Sequence, residues 1–298
     1  MSHAAGVDVR WGGSAAVRRS SPFWTACRRV VGHPAGALGS GLVVLLVLVA
    51  ITAPLVAPHS PVTQSFKRLL PPGGPNLLGT DEFGRDILSR IVFGSRISLQ
   101  VGVIAVGVAL VLGGMLGLLS GFFRGLVDTL VQRVVDILLA VPGVILIIAI
   151  SGVIGPSMGT SMIAIGIVYS PAFARVIRGS TLAVVGEQYV EAARATGAAP
   201  WRLIFRHVVP NVLAPVIVQV TLSFSTAILA EATLSYLGLG TQPPEPSWGT
   251  MLASGRKYLD LAPGLTVFPG LAIMLAVLGF NLLGDALRDA LDPRLKKL

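Results

Sequence analysis

Residues 98–121 read SLQVGVIAVGVALVLGGMLGLLSG and contain no charged side chain. A bilayer core about 30 Å thick is crossed by roughly 20 apolar residues in an α-helix, so this run is long enough to span a membrane. The whole chain of 298 residues is 53% hydrophobic and only 12% charged. This composition is far from that of a soluble protein and indicates an integral membrane protein.

Six apolar runs are predicted to cross the membrane as helices. They lie near Leu38–Ala57, Ser98–Gly121, Val134–Gly152, Met162–Ile177, Val208–Tyr236 and Leu261–Gly284. Prolines fall inside or at the edges of several runs, where packed membrane helices tolerate them as kinks or helix ends. These prolines are Pro54, Pro142, Pro171, Pro215 and Pro269. We therefore expect an all-α integral membrane protein with six transmembrane helices.

The net charge of +9 comes from basic residues that lie between the apolar runs rather than on one compact face. This distribution is typical of a topology signal and argues against nucleic-acid binding. Most Lys and Arg residues fall on the cytoplasmic side if both termini are cytoplasmic, so Pro58–Arg96 and Leu237–Asp260 are predicted to be external loops. The single cysteine, Cys27, excludes an intramolecular disulfide or a multi-thiolate metal site.

The internal loop Arg178–His207 is predicted to contain two short helices. An Ala-rich stretch up to Thr196 favours a helix, Gly197 can end it in a left-handed cap, and Pro200 suits the first turn of the next helix. The second helix is expected to be amphipathic, with Trp201, Ile204, Phe205 and Val208 on one face and Arg202 and Arg206 on another. Such an apolar face indicates contact with another protein, which we favour, or with lipid headgroups.

The order Glu191-Ala192-Ala193, three residues, Gly197 and a proline-terminated apolar turn resembles the EAA loop of ABC importer permeases. In place of the usual isoleucine before the proline, this sequence has His207. The resemblance implies the type I ABC importer permease fold, with the loop docked into a cleft of a cytoplasmic ATPase. The predicted ATPase-coupling residues are Glu191, Ala192, Ala193, Gly197, Pro200, Trp201, Arg202 and Phe205.

Two further stretches resemble the C-type permeases of dipeptide, oligopeptide and nickel importers. The first is Leu78–Asp86, followed by Ser89-Arg90 and Gly94-Ser95-Arg96, and the second combines Glu231, Leu234–Gly240 and Pro246–Gly249. With the EAA loop, the resemblance covers the chain from about Pro34 onward. It implies import of peptides, with nickel or other metal chelates and glutathione as alternatives, because a separate binding protein selects the solute.

Charged and aromatic residues of the external loops are candidates for docking that binding protein. Asp81, Glu82, Arg85 and Asp86 form a dense mixed-charge patch, which either orients a docking partner or forms salt bridges that fold the loop over the bundle. Trp248 suits either a rigid platform or an interfacial anchor. The predicted docking residues are Asp81, Arg85, Asp86 and Trp248.

Polar and small residues inside the spans form stripes. Asp128, Gln132 and Asp136 share one face, where Asp136 is either a gate residue or the ion-pair partner of Arg133. A second stripe comprises Ser223, Thr226 and Thr233, with Gln219 and Ala230. It is predicted to border a partner permease or the translocation path, or to pack within the subunit. Close helix packing is predicted at Gly113 and Gly117, and a turn at Gly121 and Gly125. Glu231 is expected to be structural.

The chain lacks a Gly-Lys pair and therefore the phosphate-cradling loop of an ATPase. We expect no catalytic, cofactor or metal site in it, with ATP and Mg bound by partner ATPase subunits. The expected partners are a second homologous permease, two cytoplasmic ABC ATPases, an extracytoplasmic solute-binding protein and membrane lipid. The competing hypotheses are an ion-coupled secondary transporter, for which we find no convincing inverted repeat, and a membrane scaffold.

The predicted organisation has four parts in a multi-pass protein of the bacterial cytoplasmic (inner) membrane. Residues 1–35 form a cytoplasmic tail, and residues 36–95 hold the first transmembrane helix and an external loop. Residues 96–286 form the permease core, with five transmembrane helices and the coupling loop near 178–207. Residues 287–298 form a second cytoplasmic tail.

Overall fold

The computed structural model describes residues 28–291, and the regular elements within them are helices. Cys27 and most of the predicted tails 1–35 and 287–298 lie outside the described residues. Residues 28–32 are helical. The helices that follow are α1 Pro34–Ile51, α2 Ala53–Val56, α3 Ile87–Phe123, α4 Gly125–Ala140, α5 Gly143–Ile154, α6 Met158–Val185, α7 Gln188–Ala195, α8 Pro200–Leu203, α9 Val209–Tyr236, α10 Trp248–Gly255 and α11 Gly264–Leu291.

Five helical segments are long and apolar enough to cross a membrane: α1, α3, α6, α11 and the continuous stretch Pro200–Tyr236. In that stretch a π-helical turn, Ile204–Val208, joins α8 to α9. A sixth span is reached when the bent pair α4 and α5 is counted as one. The expected all-α fold is therefore confirmed, and the expected number of six spans is reached with this bent pair in the third place.

The third predicted span, Val134–Gly152, is not one straight helix. Its two halves, α4 and α5, differ in direction by 90°. Val141 is extended, with φ −95° and ψ 130°, because the ring of Pro142 disfavours helical geometry in the residue before it. Pro142 also lacks the N–H that would continue the helix. The expectation of a single helix was wrong because this proline ends one helix and precedes the next.

The second predicted span begins earlier than expected, at Ile87 instead of Ser98. The Asp86 side chain caps the helix by accepting the Ser89 backbone N–H at 2.8 Å. Arg90, which we placed in the external loop, lies in the first turn of α3 and is buried beside Asp81. An arginine is tolerated in this position because a carboxylate of the preceding loop pairs with it.

Glycines allow α3 and α6 to pack closely. A Cβ added to Gly113, Gly117 or Gly121 would lie within 3.0 Å of α6 atoms, including backbone atoms. The packing predicted for Gly113 and Gly117 is therefore confirmed, and it extends to Gly121, for which a turn was expected. Gly125, for which a turn was also expected, is the first residue of α4 and has φ +56° at the break that follows Arg124.

The interior consists of three clusters of buried apolar side chains. One joins α3, α5, α6 and α9, and includes Val101, Ile147 and Phe173. A second joins the start of α3 to α9, α10 and α11 around Trp248. The third lies under α7 and α8 and supports the candidate site described below.

Candidate functional site

The loop between α6 and α9 has the two-helix form that the sequence predicts. Helix α7 ends in a Schellman motif, in which the Gly197 N–H donates to the Arg194 carbonyl at 3.0 Å and the Ala198 N–H to the Ala193 carbonyl at 3.1 Å. Gly197 has φ +82°, so the predicted left-handed cap is confirmed. Pro200 lies in the first turn of α8, also as predicted.

One side of this loop is packed firmly against the helix bundle. Val190, Leu203 and Val208 are buried in a cluster that also contains Val185 from the end of α6 and Phe122 from the end of α3. Burying side chains of this size stabilises a contact by roughly 1.5–3 kcal/mol each relative to exposure. The loop is therefore packed directly onto the ends of α3, α6 and α9.

The opposite side of the loop presents aromatic groups to solvent. Trp201 and Phe205 are 62% and 68% exposed, and the Arg202 guanidinium lies 5.6 Å from the Trp201 ring centroid. Our expectation of one apolar face was wrong in this respect, because Ile204 and Val208 are buried while Trp201 and Phe205 are not. The two pairs form separate stripes, since adjacent positions on a helix differ by about 100°.

Most of the predicted coupling residues are exposed. Ala193 is half-buried and the other seven are exposed: Glu191, Ala192, Gly197, Pro200, Trp201, Arg202 and Phe205. His207, which departs from the family pattern, is half-buried beside Tyr189, with ring centroids 6.0 Å apart. The Asn211 amide links these two residues by donating to the Tyr189 hydroxyl and the His207 carbonyl. The loop therefore exposes two aromatic side chains, Trp201 and Phe205, beside two arginines, Arg202 and Arg206.

The charged patch before α3 is turned inward. Asp81 is 4% exposed, and it accepts hydrogen bonds from the Arg85 side chain at 2.5 Å and from the Phe83 backbone N–H at 2.9 Å. Asp86 is 1% exposed and accepts from Asn76 and Ser89. This burial favours the alternative in which salt bridges fold the loop; direct docking by these side chains stays a prediction.

Trp248 is also an internal residue. Its side chain is 2% exposed, and its indole Nε1–H donates to the Ile91 carbonyl of α3 at 3.0 Å. The ring lies over Gly94, where an added Cβ would be 2.7 Å from it. Anchoring in the membrane interface requires an exposed ring, whereas a contribution of Trp248 to a docking platform stays a prediction. Its hydrogen bond to Ile91 and its packing on Gly94 instead connect α10 to α3.

Glu231 organises the polypeptide that leads from α9 to α10. Its Oε1 accepts hydrogen bonds from the hydroxyls of Ser235, Thr241 and Ser247 at 2.6, 3.1 and 2.9 Å. These partners come from the end of α9, the connecting loop and the N-terminal cap of α10. The contacts support the structural role predicted for this residue.

The polar stripe of α9 does not lie in one environment. Ser223 is buried and accepts a hydrogen bond from the Gln219 side chain at 3.2 Å, whereas Thr226 is exposed and Thr233 is half-buried. Together with Leu229, the two threonines form an outward-facing strip along the helix. Their predicted role at a partner permease or translocation path stays a prediction.

The carboxylates of α4 pair with arginines of α6. Asp128 makes two hydrogen bonds of 2.6 Å with Arg178, and Asp136 lies 2.8 Å from Arg175. The expected partner within the same helix, Arg133, was therefore wrong, because α6 offers arginines across the helix contact. Spacing along one helix could not identify these partners.

A groove of about 500 Å³ lies between α6, α9 and α11, and sequence reasoning did not anticipate it. Its walls are largely apolar, with Asn211, Gln219 and Arg288 as polar lining residues. Among residues 28–291, no group of three or more His, Cys, Asp or Glu side chains is placed to hold a metal ion.

Residues 155–159 match the pattern Gly-x-Ser-x-Gly, which in hydrolases places a nucleophilic serine between a strand and a helix. Here the serine, Ser157, follows helix α5 and is the N-terminal cap of α6, where its hydroxyl accepts the Thr160 backbone N–H at 3.1 Å. This context is that of a helix cap, not of a nucleophile.

Comparison with known proteins identifies the family. Residues 113–297 match the family described as binding-protein-dependent transport system inner membrane component. Residues 21–72 match the N-terminal TM domain of oligopeptide transport permease C. Both matches agree with the resemblance noted in the sequence.

Two curated relatives are similar over nearly their whole length. The dipeptide transport system permease protein DppC of Alkalihalophilus pseudofirmus is 46% identical over 277 residues, which cover 93% of this chain and 91% of the relative. The di/tripeptide transport system permease protein DppC of Pseudomonas aeruginosa is 48% identical over 282 residues, which cover 92% of each.

Among solved structures, an inward-facing conformation of the MetNI methionine ABC transporter contains a chain of the same fold. The TM-score is 0.56 at 18% identity, and the match covers 69% of this chain and 98% of that one. The predicted permease fold is therefore confirmed. With a family match over more than half of its length, the chain belongs to the binding-protein-dependent transport system inner membrane components.

Proposed function

We propose that this chain is the pore-forming permease subunit of an ATP-driven, binding-protein-dependent importer of peptides. Its solute moves inward by alternating access, in step with separate ATPase subunits. The observation that carries the proposal is the exposed pair Trp201 and Phe205 on a loop whose other side is buried against three spanning helices. The dipeptide transport named for the two relatives supports peptides as the substrate class.

The proposed assembly contains a second homologous permease, two cytoplasmic ABC ATPases and an extracytoplasmic solute-binding protein. ATP and Mg are bound by the ATPase subunits, and this chain contributes no catalytic residue. Residues 96–286 are the permease core, and both termini lie on the cytoplasmic side of the inner membrane. Family membership supports the general composition, since its description specifies a binding-protein-dependent transport system.

Coupling requires a projection that fits a partner and is stiff enough to transmit force. Trp201 and Phe205 supply apolar area for an ATPase cleft, and Arg202 and Arg206 supply charge beside it. The Schellman cap at Gly197 fixes the angle between α7 and α8. Closure of the ATPases is thereby passed to the ends of α3, α6 and α9.

The remaining predicted sites lie on helix α9 and on the proposed external side. Thr226 and Thr233 lie on the outward-facing strip of α9, next to the buried Ser223, and are proposed to border the partner permease. Asp81, Arg85, Asp86 and Trp248 are proposed to act in binding-protein docking by fixing the shape of the external surface. Their burial supports this indirect role.

The test is uptake of a labelled dipeptide into liposomes that contain the assembled complex. We expect Trp201→Ala and Phe205→Ala to lower ATP-dependent uptake at least about tenfold while leaving the amount of folded permease unchanged, because exposed apolar anchors contribute to binding rather than to the core. A matched control is Leu261→Ala, since Leu261 is 79% exposed but lies between α10 and α11. The control should retain full uptake.

Further arms of the same assay separate the alternatives. Uptake that survives collapse of ion gradients and depends on ATP excludes a secondary transporter. Competition by unlabelled dipeptide, glutathione and chelated nickel ranks the substrate classes. The proposal is refuted if the chain takes up solute without ATPase subunits, or if both aromatic variants behave like the control.

A further inference from the structure

Helix α4 buries few of its side chains against the rest of the chain. All of its residues are described, and Val135 is the one that is buried. Its apolar side chains mostly face outward; Leu126 and Leu130, for example, are 81% and 67% exposed. Apolar packing within the chain therefore holds this helix weakly, and its position depends on other interactions.

Two ion pairs supply that attachment. The Arg178 guanidinium donates from Nε and Nη2 to the two carboxylate oxygens of Asp128, each at 2.6 Å, which is the bidentate geometry that gives the strongest pairs. The Arg175 and Asp136 side chains are 55% and 54% exposed and share a single 2.8 Å contact. The Asp128 pair is less exposed, at 31% and 19%, and is the stronger attachment.

The spacing of the two pairs describes how α4 lies on α6. Asp128 and Asp136 are about 12 Å apart along α4, whereas Arg175 and Arg178 are only about 4.5 Å apart along α6, at 1.5 Å per residue. The pairs also run in opposite chain directions, because the earlier aspartate meets the later arginine. Two attachments at unequal spacing fix the angle of α4 as well as its position.

Arg178 is in turn linked to the candidate coupling loop. Its backbone is held against α3, where a Cβ on Gly117 would lie 3.0 Å from the Arg178 nitrogen and a Cβ on Gly121 would lie 3.0 Å from its carbonyl oxygen. Helix α6 ends at Val185, which is buried with Val190 of α7. A displacement of the loop therefore reaches Arg178 through one continuous helix.

The other half of the bent pair is part of the interior. Ile147 of α5 is buried in the cluster that contains Ile165 of α6. The short break at Val141 and Pro142 joins α5 directly to α4. In the bent pair, α4 is therefore held mainly by ion pairs, whereas α5 is held by apolar packing.

We propose that Asp128 and Arg178, with Asp136 and Arg175 as a second and weaker attachment, are positioning residues that make the bent pair α4 and α5 follow the coupling loop. The effect on transport rests on the proposed function, whereas the attachment of α4 to α6 is a property of this chain alone. Loss of the Asp128 pair lets α4 swing independently of α6, so that ATP is hydrolysed without a matching movement of the bent pair.

The first test measures the number of peptides imported per ATP hydrolysed by the reconstituted complex. Asp128→Arg and Arg178→Asp each place two like charges together and are expected to lower this ratio about tenfold. The double exchange, which carries both substitutions, restores an opposite-charge pair and should bring the ratio back to within about threefold of the native value. A role in stability alone would change the amount of assembled complex but not the ratio. The corresponding single substitutions in the exposed pair, Asp136→Arg and Arg175→Asp, should lower the ratio of peptides imported per ATP only about twofold.

The second test does not require transport. In a chain whose only cysteine has been removed by Cys27→Ser, spin labels are placed on α4 and α6 by Thr129→Cys and Ala183→Cys, both at exposed positions. The distance distribution should be narrow in the otherwise native chain and in the double exchange, and broader with Asp128→Arg. The milder variant Asp128→Asn, which keeps the side-chain shape, should broaden it less.

The outcomes of the two tests are distinct. Absence of ATP-dependent import in the native complex would contradict the proposed function, while a distribution broadened by Asp128→Arg would still support the attachment of α4. A distribution unchanged by Asp128→Arg, or a double exchange no better than either single variant, would overturn the inference.

Discussion

The close contact of α3 with α6 gives the sharpest quantitative prediction, at Gly113. A Cβ at this position would lie 2.7 Å from the Cβ of Phe173 and 3.0 Å from the backbone nitrogen of Ala174, both parts of a helix that cannot yield locally. Gly107 is on the same helix, and a Cβ there would meet nothing within 4 Å. Gly113→Ala and Gly107→Ala therefore make the same chemical change in opposite environments.

The magnitude follows from the difference between these two variants. Both gain the helix propensity of alanine over glycine, about 1 kcal/mol, so this contribution cancels between them. Overpacking at Gly113 costs about 1–3 kcal/mol. The free energy of unfolding should therefore be about 1–3 kcal/mol lower for Gly113→Ala than for Gly107→Ala, which is about a 5- to 150-fold change in the unfolding equilibrium.

The assay is equilibrium unfolding of the purified chain in mixed micelles with increasing dodecyl sulfate, followed by far-ultraviolet circular dichroism. Gly114→Ala is a second control, since its nearest neighbour, the Ile177 Cδ1, would lie 3.6 Å away at an ordinary contact distance. The reasoning about close packing would be refuted if Gly113→Ala unfolded at the same denaturant concentration as the two controls.

Three further predictions concern single contacts. Gly197→Ala places a side chain at φ +82° at a cost of about 1–2 kcal/mol and should lower ATP-dependent uptake, while Gly186→Ala, at φ −83°, should not. Trp248→Phe removes the hydrogen bond to the Ile91 carbonyl and should lower the unfolding free energy by about 1 kcal/mol in the same denaturant titration. Glu231→Leu leaves three buried hydroxyls without their acceptor and should destabilise the chain by several times the effect of Glu231→Gln, as measured by the thermal unfolding midpoint.

Features that depend on neighbours along the chain could be predicted from the sequence. The apolar runs locate the spans, because a membrane requires helices of a definite length. The left-handed cap at Gly197 and the proline in the first turn of α8 also follow from local backbone preferences. The stripe containing Gly113 and Gly117 identified a close helix contact for a similar reason, since glycines at this spacing share one face.

Features that depend on partners distant in sequence could not be predicted in the same way. Arg90 was assigned to a loop because an unpaired arginine ends an apolar span, and its partner Asp81 becomes relevant only after the loop has folded back. Arg133 was expected to pair with Asp136 because it is nearby in sequence, but Arg175 from another helix takes that place. The sharp break at Pro142 was underestimated because a proline in a membrane helix either kinks or ends it.

The buried charges around Asp81 and the exposed aromatic side chains of the loop between α6 and α9 lead to opposite conclusions about the need for a partner. The patch around Asp81 has its charges satisfied internally, so it needs no partner to be stable. Trp201 and Phe205 leave large apolar surfaces uncovered by this chain, although the loop that bears them is packed on its other side. An exposed apolar surface of this kind is typical of an interaction site, which is why we propose a partner there. We therefore expect a partner to bind at the loop of α7 and α8.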